Sequence, residues 1–259
     1  MTGVLSLFDL SGKKAMVVGG GGDLGGEMAV ALAEAGADVA IADIDDAGAR
    51  KVADRVKAAG RKALVIHCDA TKEKDVEKAV AKTVDAFGGL HIAVNSQGVG
   101  SAAPVLEMSE DLWDKVVDVG LKSIFLCAKY QGRAIRDSGG GSIISVASLL
   151  STIAHKSAPL SAYCASKAGV VLLTKSLASE LAPYNIRANC ISPGFMITKL
   201  NKTSEEPESQ GYKDLIEDTP LRRMGKADEL NGLVVFLASE ASSFMTGSDV
   251  VIDGGYTSW

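Results

Sequence analysis

The stretch that decides the fold is Val17-Val18-Gly19-Gly20-Gly21-Gly22-Asp23-Leu24-Gly25-Gly26. It closes a short apolar run, Ala15–Val18, and opens an amphipathic stretch, Leu24–Ala35. Gly20, Gly22 and Gly25 satisfy Gly-x-Gly-x-x-Gly. In a strand–turn–helix, such glycines let backbone approach a pyrophosphate, and the helix N-terminus offers it unpaired N–H groups and a positive dipole end. The turn therefore predicts a dinucleotide site with Gly19, Gly22, Asp23, Leu24 and Gly25 at the phosphates. Asp23 is expected to cap the helix with its side chain turned away from them.

Outward from this turn the same rhythm repeats. Val39–Ala42, Ala63–Ile66, His91–Val94, Ser142–Val146, Arg187–Ile191 and Asp249–Ile252 read as further short strands, rich in β-branched residues. Ala47–Ala59, Lys74–Phe87, Glu110–Arg136, Leu160–Ala182 and Ala227–Ala238 read as helices between them. Strand–helix alternation implies right-handed crossovers and a parallel sheet covered on both faces. The expectation is a single α/β domain over residues 1–259, a doubly wound Rossmann-type three-layer fold on a seven-stranded parallel sheet. Phe195 to Arg223 breaks the rhythm with a polar, aperiodic insertion after a strand end and is expected to be a substrate lid.

Composition narrows the function. The chain has 259 residues, 47% hydrophobic and 23% charged, with a net charge of −5 and no basic face. Nucleic acid and anionic membrane are therefore not expected partners. No apolar run reaches the roughly 18–20 residues of a membrane helix, and the N-terminus lacks a signal-peptide core. The four cysteines are scattered and read as free thiols of a cytoplasmic protein. His67, His91 and His155 show no metal-ligand spacing, so no metal is expected. His155 is open to two readings, a pocket residue or a loop histidine. Arg222-Arg223 read as surface charge.

Two further features point to chemistry. Asp43 ends the second strand about twenty residues past the glycine turn, where a carboxylate accepts from the adenosine ribose and repels a 2′-phosphate. That favours NAD over NADP. Tyr163 and Lys167, spaced i, i+4, share one helix face. An ammonium beside a phenol favours phenolate, so the pair can exchange a proton with a substrate oxygen. Upstream, Gly141-Ser142-Ile143-Ile144-Ser145-Val146-Ala147-Ser148 reads as a strand ending in a serine that can orient that oxygen.

With these motifs in order, the chain resembles the short-chain dehydrogenase/reductase family in its single-domain form, over essentially its whole length. The resemblance implies a catalytic Ser148, Tyr163 and Lys167, with Tyr163 as acid/base and Lys167 also holding the nicotinamide ribose. It implies that Asp69 and Ala70 meet the adenine, that Asn95 and Gly98 lie behind the cofactor, and that Pro193, Gly194 and Thr198 reach the nicotinamide. It implies a homotetramer, with Trp259 against a partner subunit. Four departures stand out. Asp23 replaces a glycine, as in some sugar-acid oxidoreductases, and Ser96-Gln97 replaces Asn-Ala. Gly120 replaces the asparagine that bends a helix and holds a proton-relay water. The Ser148-to-Tyr163 stretch is long, which leaves Ser145 and Ser151 as alternatives. The expected function is NAD(H)-dependent hydride transfer with a secondary alcohol or ketone, favouring a sugar, polyol or sugar acid. The alternatives are a 3-oxoacyl thioester reductase and a non-catalytic NAD-binding module.

Overall fold

A computed structural model describes residues 3–199 and 209–259. Its seven strands are β1 (Lys14–Val18), β2 (Asp38–Asp43), β3 (Ala63–His67), β4 (Ile92–Asn95), β5 (Gly141–Val146), β6 (Ile186–Pro193) and β7 (Asp249–Ile252). All pair in parallel in the order β3-β2-β1-β4-β5-β6-β7. The order reverses between β1 and β4, and such a switch point opens a crevice at the strands' C-terminal ends.

Alternation along the strands builds a core on each face. Val17, Val39 and Ile41 pack with Met28, Leu32 and Val56. These come from α1 (Asp23–Glu34) and α2 (Asp46–Ala58), joined by α8 (Asn231–Ala238) through Val234 and Leu237. Met16, Ala40 and Ala42 face the other way, onto Val76, Leu126 and Leu177. Those belong to α3 (Glu73–Phe87), α5 (Ser123–Asp137) and α6 (Ser161–Leu181). The result is the expected three-layer arrangement.

Local chemistry explains the turn after β1. Gly19 sits at φ +74°, a conformation costly for a residue with a Cβ. Gly25 lets α1 approach closely, since a Cβ there would lie 2.1 Å from the Gly19 carbonyl oxygen.

Three expectations need correction. The long helix predicted over Glu110–Arg136 is three pieces: α4 (Glu110–Val117), a π-helical turn (Asp118–Lys122) and α5. The periodicity carries through both helices, but the wider turn inserts between them. Inside the supposedly aperiodic 195–223 stretch lies α7 (Gln210–Asp218), capped by the Ser209 hydroxyl, which accepts from the Tyr212 N–H at 3.2 Å. Its polar composition and single buried residue, Leu215, hid its period. Residues 200–208 of that stretch lie outside the described residues. The predicted Ala227–Ala238 helix begins as a 3₁₀ turn, Ala227–Leu230, before α8.

Candidate active site

β5 ends at Val146, and the chain then turns so that the Ser148 hydroxyl accepts from the Leu150 N–H at 3.1 Å. This half-capped turn aims Ser148 at the start of α6, where the Tyr163 phenol hydrogen-bonds it. Ser145 is buried within β5, and the Ser151 hydroxyl donates to the Ser148 carbonyl at 2.6 Å. Of the three serines, only Ser148 lines the cavity described below.

One turn further along α6, Lys167 is buried and its ammonium donates to the Val146 carbonyl at 2.8 Å. Its Nζ lies 5.8 Å from the Tyr163 ring centroid. Burial lowers its pKa to about 8. Tyr163 behaves against the expectation from spacing alone. Burial pushes its pKa up, and the Ser148 hydrogen bond offsets only part of that.

Ser148, Tyr163 and Lys167 line a cavity of about 420 Å3 together with Leu24, Gly98, Pro193, Gly194 and Thr198. The cavity lies along the C-terminal edge of the sheet, beside the α1 N-terminus. Gly22 is the α1 N-cap and makes no side-chain capping bond, so the first N–H groups keep their donors for an anion. A Cβ on Gly98 would come within 3.3 Å of Lys167 Nζ. This edge offers the length of cavity and the free N–H groups that a dinucleotide would need.

Asp23 does not cap α1, contrary to expectation. It is the first helical residue, and its carboxylate accepts the Lys199 backbone N–H at 2.7 Å, tying the phosphate turn to the chain after β6. Asp45 caps α2 instead of Asp43, accepting from the Ala47 N–H at 3.0 Å. Asp43 accepts from the Gly21 and Asp45 N–H groups, each at 2.8 Å, which holds its carboxylate beside the turn. The Asp69 carboxylate accepts from the Thr71 N–H and hydroxyl and pairs with Lys72 at 3.0 Å, with Ala70 between. The Asn95 side chain is fully buried and spent on Gln131, through reciprocal bonds of 2.9 and 3.0 Å. It anchors β4 to α5 and does not line the cavity.

Gly120 sits in the π-helical turn, where the resemblance expects an asparagine. A Cβ there would meet Ser166 Oγ at 2.7 Å. Ser166, whose hydroxyl donates to the Tyr163 carbonyl at 2.8 Å, fills the space. His155 lines the cavity, which settles its open reading. It stacks edge-on against Phe195 at 5.5 Å, and Phe195 against Tyr256 at 5.0 Å. This aromatic stack escaped sequence reasoning, because its members come from three distant segments. Among the described residues no His, Cys, Asp and Glu group could hold a metal, and no helix is long and apolar enough to cross a membrane.

With this geometry in place, likeness to known proteins is decisive. A family profile described as Enoyl-(Acyl carrier protein) reductase matches residues 22–257. The cyclohexanol dehydrogenase of Acinetobacter sp. is 37% identical over 247 residues, 95% of each chain.

The chain belongs to the short-chain dehydrogenase/reductase family.

The NAD-dependent glycerol dehydrogenase of Listeria innocua is 37% identical over 96% of each chain. A short-chain type dehydrogenase/reductase structure from Mycobacterium marinum superposes with a TM-score of 0.94 at 43% identity, covering 98% of this chain and 99% of that one. As a short-chain dehydrogenase/reductase the chain is an oxidoreductase acting on alcohols and ketones at CH–OH carbons, with a nicotinamide cofactor.

Proposed function

We propose that the protein is an NAD(H)-dependent oxidoreductase of secondary alcohols and their ketones, with Ser148, Tyr163 and Lys167 as its catalytic residues. The observation that carries this is the meeting of a phenol, its hydrogen-bonding serine and a buried ammonium in one cavity at the dinucleotide edge. Bound nicotinamide supplies the hydride acceptor or donor. Ser148 orients the substrate oxygen. Tyr163 takes the hydroxyl proton in oxidation and returns it in reduction. Lys167 stabilises the phenolate as it forms. Gly22, Gly25 and the α1 N-terminus receive the phosphates, and Asp69 and Ala70 flank the adenine.

NAD is preferred on this reading because the Asp43 carboxylate, held beside the glycine turn by the Gly21 and Asp45 N–H groups, would repel a 2′-phosphate. Relatives are named or were solved with NAD or NADP. The glycerol-named relative supports the sugar or polyol expectation, and the cyclohexanol-named relative supports a less polar substrate. The 195–223 stretch is read as the lid, and the protein as a cytoplasmic homotetramer.

Titrating wild type and Tyr163→Phe with NADH and NADPH, then measuring turnover, tests this. NADH should bind more tightly than NADPH to both proteins. Turnover should fall about 100- to 10,000-fold in the variant with NADH affinity kept. Retained turnover would overturn the role of Tyr163, and tighter NADPH would overturn the cofactor.

A further inference from the structure

We propose that the substrate is an uncharged secondary alcohol, or its ketone, with a compact apolar body and one or two further oxygens, one of which accepts a hydrogen bond from His155. This rests on the oxidoreductase reading above and narrows its substrate, away from the sugars and sugar acids that the sequence favoured.

Much of the cavity wall beyond the three reacting residues is apolar. Leu149, Leu150, Ala158, Leu160, Phe195 and Met196 all face it. Four come from the turn and loop between β5 and α6, and two from the chain after β6, so the apolar character is shared by both sides. A polyol entering such a wall would strip water from several hydroxyls, and each one left unpaired costs about 1–3 kcal/mol.

Charge makes the same point against an acid. Among the described residues, Lys167 is the only lining residue with a charged side chain, and its ammonium is held on the Val146 carbonyl. Three cations near the wall in sequence are engaged elsewhere, and Lys199, next to the lining Thr198, turns its ammonium out to solvent 3.9 Å from Asp23. Lys156 pairs with Asp218 at 3.1 Å. Arg223 pairs bidentately with Glu229, both contacts at 2.7 Å. Arg222 donates to the Glu217 carbonyl. A substrate carboxylate would be desolvated without a partner, which is the costlier case.

The wall does offer a neutral donor. His155 Nδ1 accepts from the backbone N–H groups of Ser157 at 3.2 Å and Ala158 at 3.0 Å. An accepting Nδ1 puts the ring hydrogen on Nε2. That N–H has no protein acceptor among the described residues. The Phe195–Tyr256 stack holds the ring in place, and burial lowers its pKa, which keeps it neutral. Ser96 and Ser101 are the other hydroxyls on the wall outside the reacting set and the residues assigned to the cofactor edge. In oxidation the carbinol C–H passes as hydride to the nicotinamide, the O–H proton passes to Tyr163 in its phenolate form, and a ketone leaves.

The test measures kcat/KM with NAD and with NADP for cyclohexanol, 1,2-cyclohexanediol, glycerol, threitol and gluconate, on wild type and His155→Phe. The two alicyclic alcohols should exceed the polyols and gluconate by about tenfold or more. His155→Phe keeps an aromatic ring against Phe195 but removes the donor, so it should lower the diol-to-cyclohexanol ratio by about tenfold. NADH affinity and melting temperature, measured alongside, show that the variant is folded. Glycerol, threitol or gluconate outpacing the alicyclic alcohols would overturn the inference and leave the oxidoreductase reading standing. An equal fall on both alicyclic substrates would overturn the role of His155. No turnover of any of the five with either cofactor would overturn the underlying reading as well.

Discussion

Tyr163 and Lys167 show what a motif conveys and what it omits. Spacing alone puts the two on one helix face, and the simplest expectation is an ammonium that lowers the phenol's pKa. Burial acts on both groups, raising Tyr163 and drawing Lys167 down to about 8. The shift at Lys167 has a sign that stability measurements can read. Its folded value lies below that of an unfolded lysine, near 10.4, so the fold disfavours the charged form. Below pH 8 both states hold the proton and the burial cost is present in full. Between pH 8 and about 10 only the unfolded chain holds it, and stability gained from this residue rises with pH. Lys167→Met lacks that dependence. The variant should melt higher than wild type at pH 6.5, by an amount on the order of 1–3 kcal/mol less the lost Val146 hydrogen bond. The gap should shrink steadily toward pH 10. Thermal melts of both proteins across that range check it, and a pH-independent gap would sink the assignment.

At the scale of elements, the π-helical turn between α4 and α5 carries the most information. Sequence periodicity reads Glu110–Arg136 as one helix because the apolar stripe resumes after Lys122. What the pattern cannot register is that Gly120 faces Ser166 on α6 with no room for a methyl group. Gly120→Ala would place its Cβ 2.7 Å from Ser166 Oγ and 3.1 Å from Ser166 Cβ. Overpacking of this kind costs about 1–3 kcal/mol. Ser166→Ala in the same chain should recover part of the loss, since it removes the nearer atom. A double-mutant cycle by denaturant unfolding measures the coupling; strict additivity would show that the two positions do not touch. α7 teaches a related lesson. Its apolar stripe is only Tyr212, Leu215 and Ile216, too short to stand out in a polar stretch, and its Ser209 cap is the clearer local sign.

For the whole molecule, the sheet and its covering helices leave apolar surface over. Phe125 on α5 and Leu172 on α6 are 48% and 68% exposed. Phe244, Val251 and Trp259 are exposed around β7, whose outer edge has no strand beside it. Exposed apolar faces of this kind serve as contacts between copies. Light scattering should therefore find a homotetramer. Leu172→Asp, which puts a charge on the α6 face, should yield smaller species with the fold intact by circular dichroism. A monomeric wild type would overturn the expectation. The βα alternation and the parallel sheet, by contrast, were legible throughout, while the order β3-β2-β1-β4-β5-β6-β7 came from the strand pairing itself. The glycine turn that opens α1 was legible too, because it stands between a strand and a helix.

Reading along the chain is enough for the strand–helix alternation, the parallel sheet, the family and the i, i+4 pair Tyr163 and Lys167. These depend on spacing along the chain, and spacing is local information. The tertiary structure alone decided that Ser148 rather than Ser145 or Ser151 meets Tyr163. It also decided that the Asp23 carboxylate serves Lys199 instead of a helix cap, that Asn95 is spent on Gln131, and that His155, Phe195 and Tyr256 form one stack. The physical reason is common to all four. Each depends on which groups compete for a hydrogen bond or a ring face once distant segments meet, and on how much water is excluded there. Burial then sets the protonation of Tyr163 and Lys167, so even the residues most legible in the sequence take their chemistry from the fold.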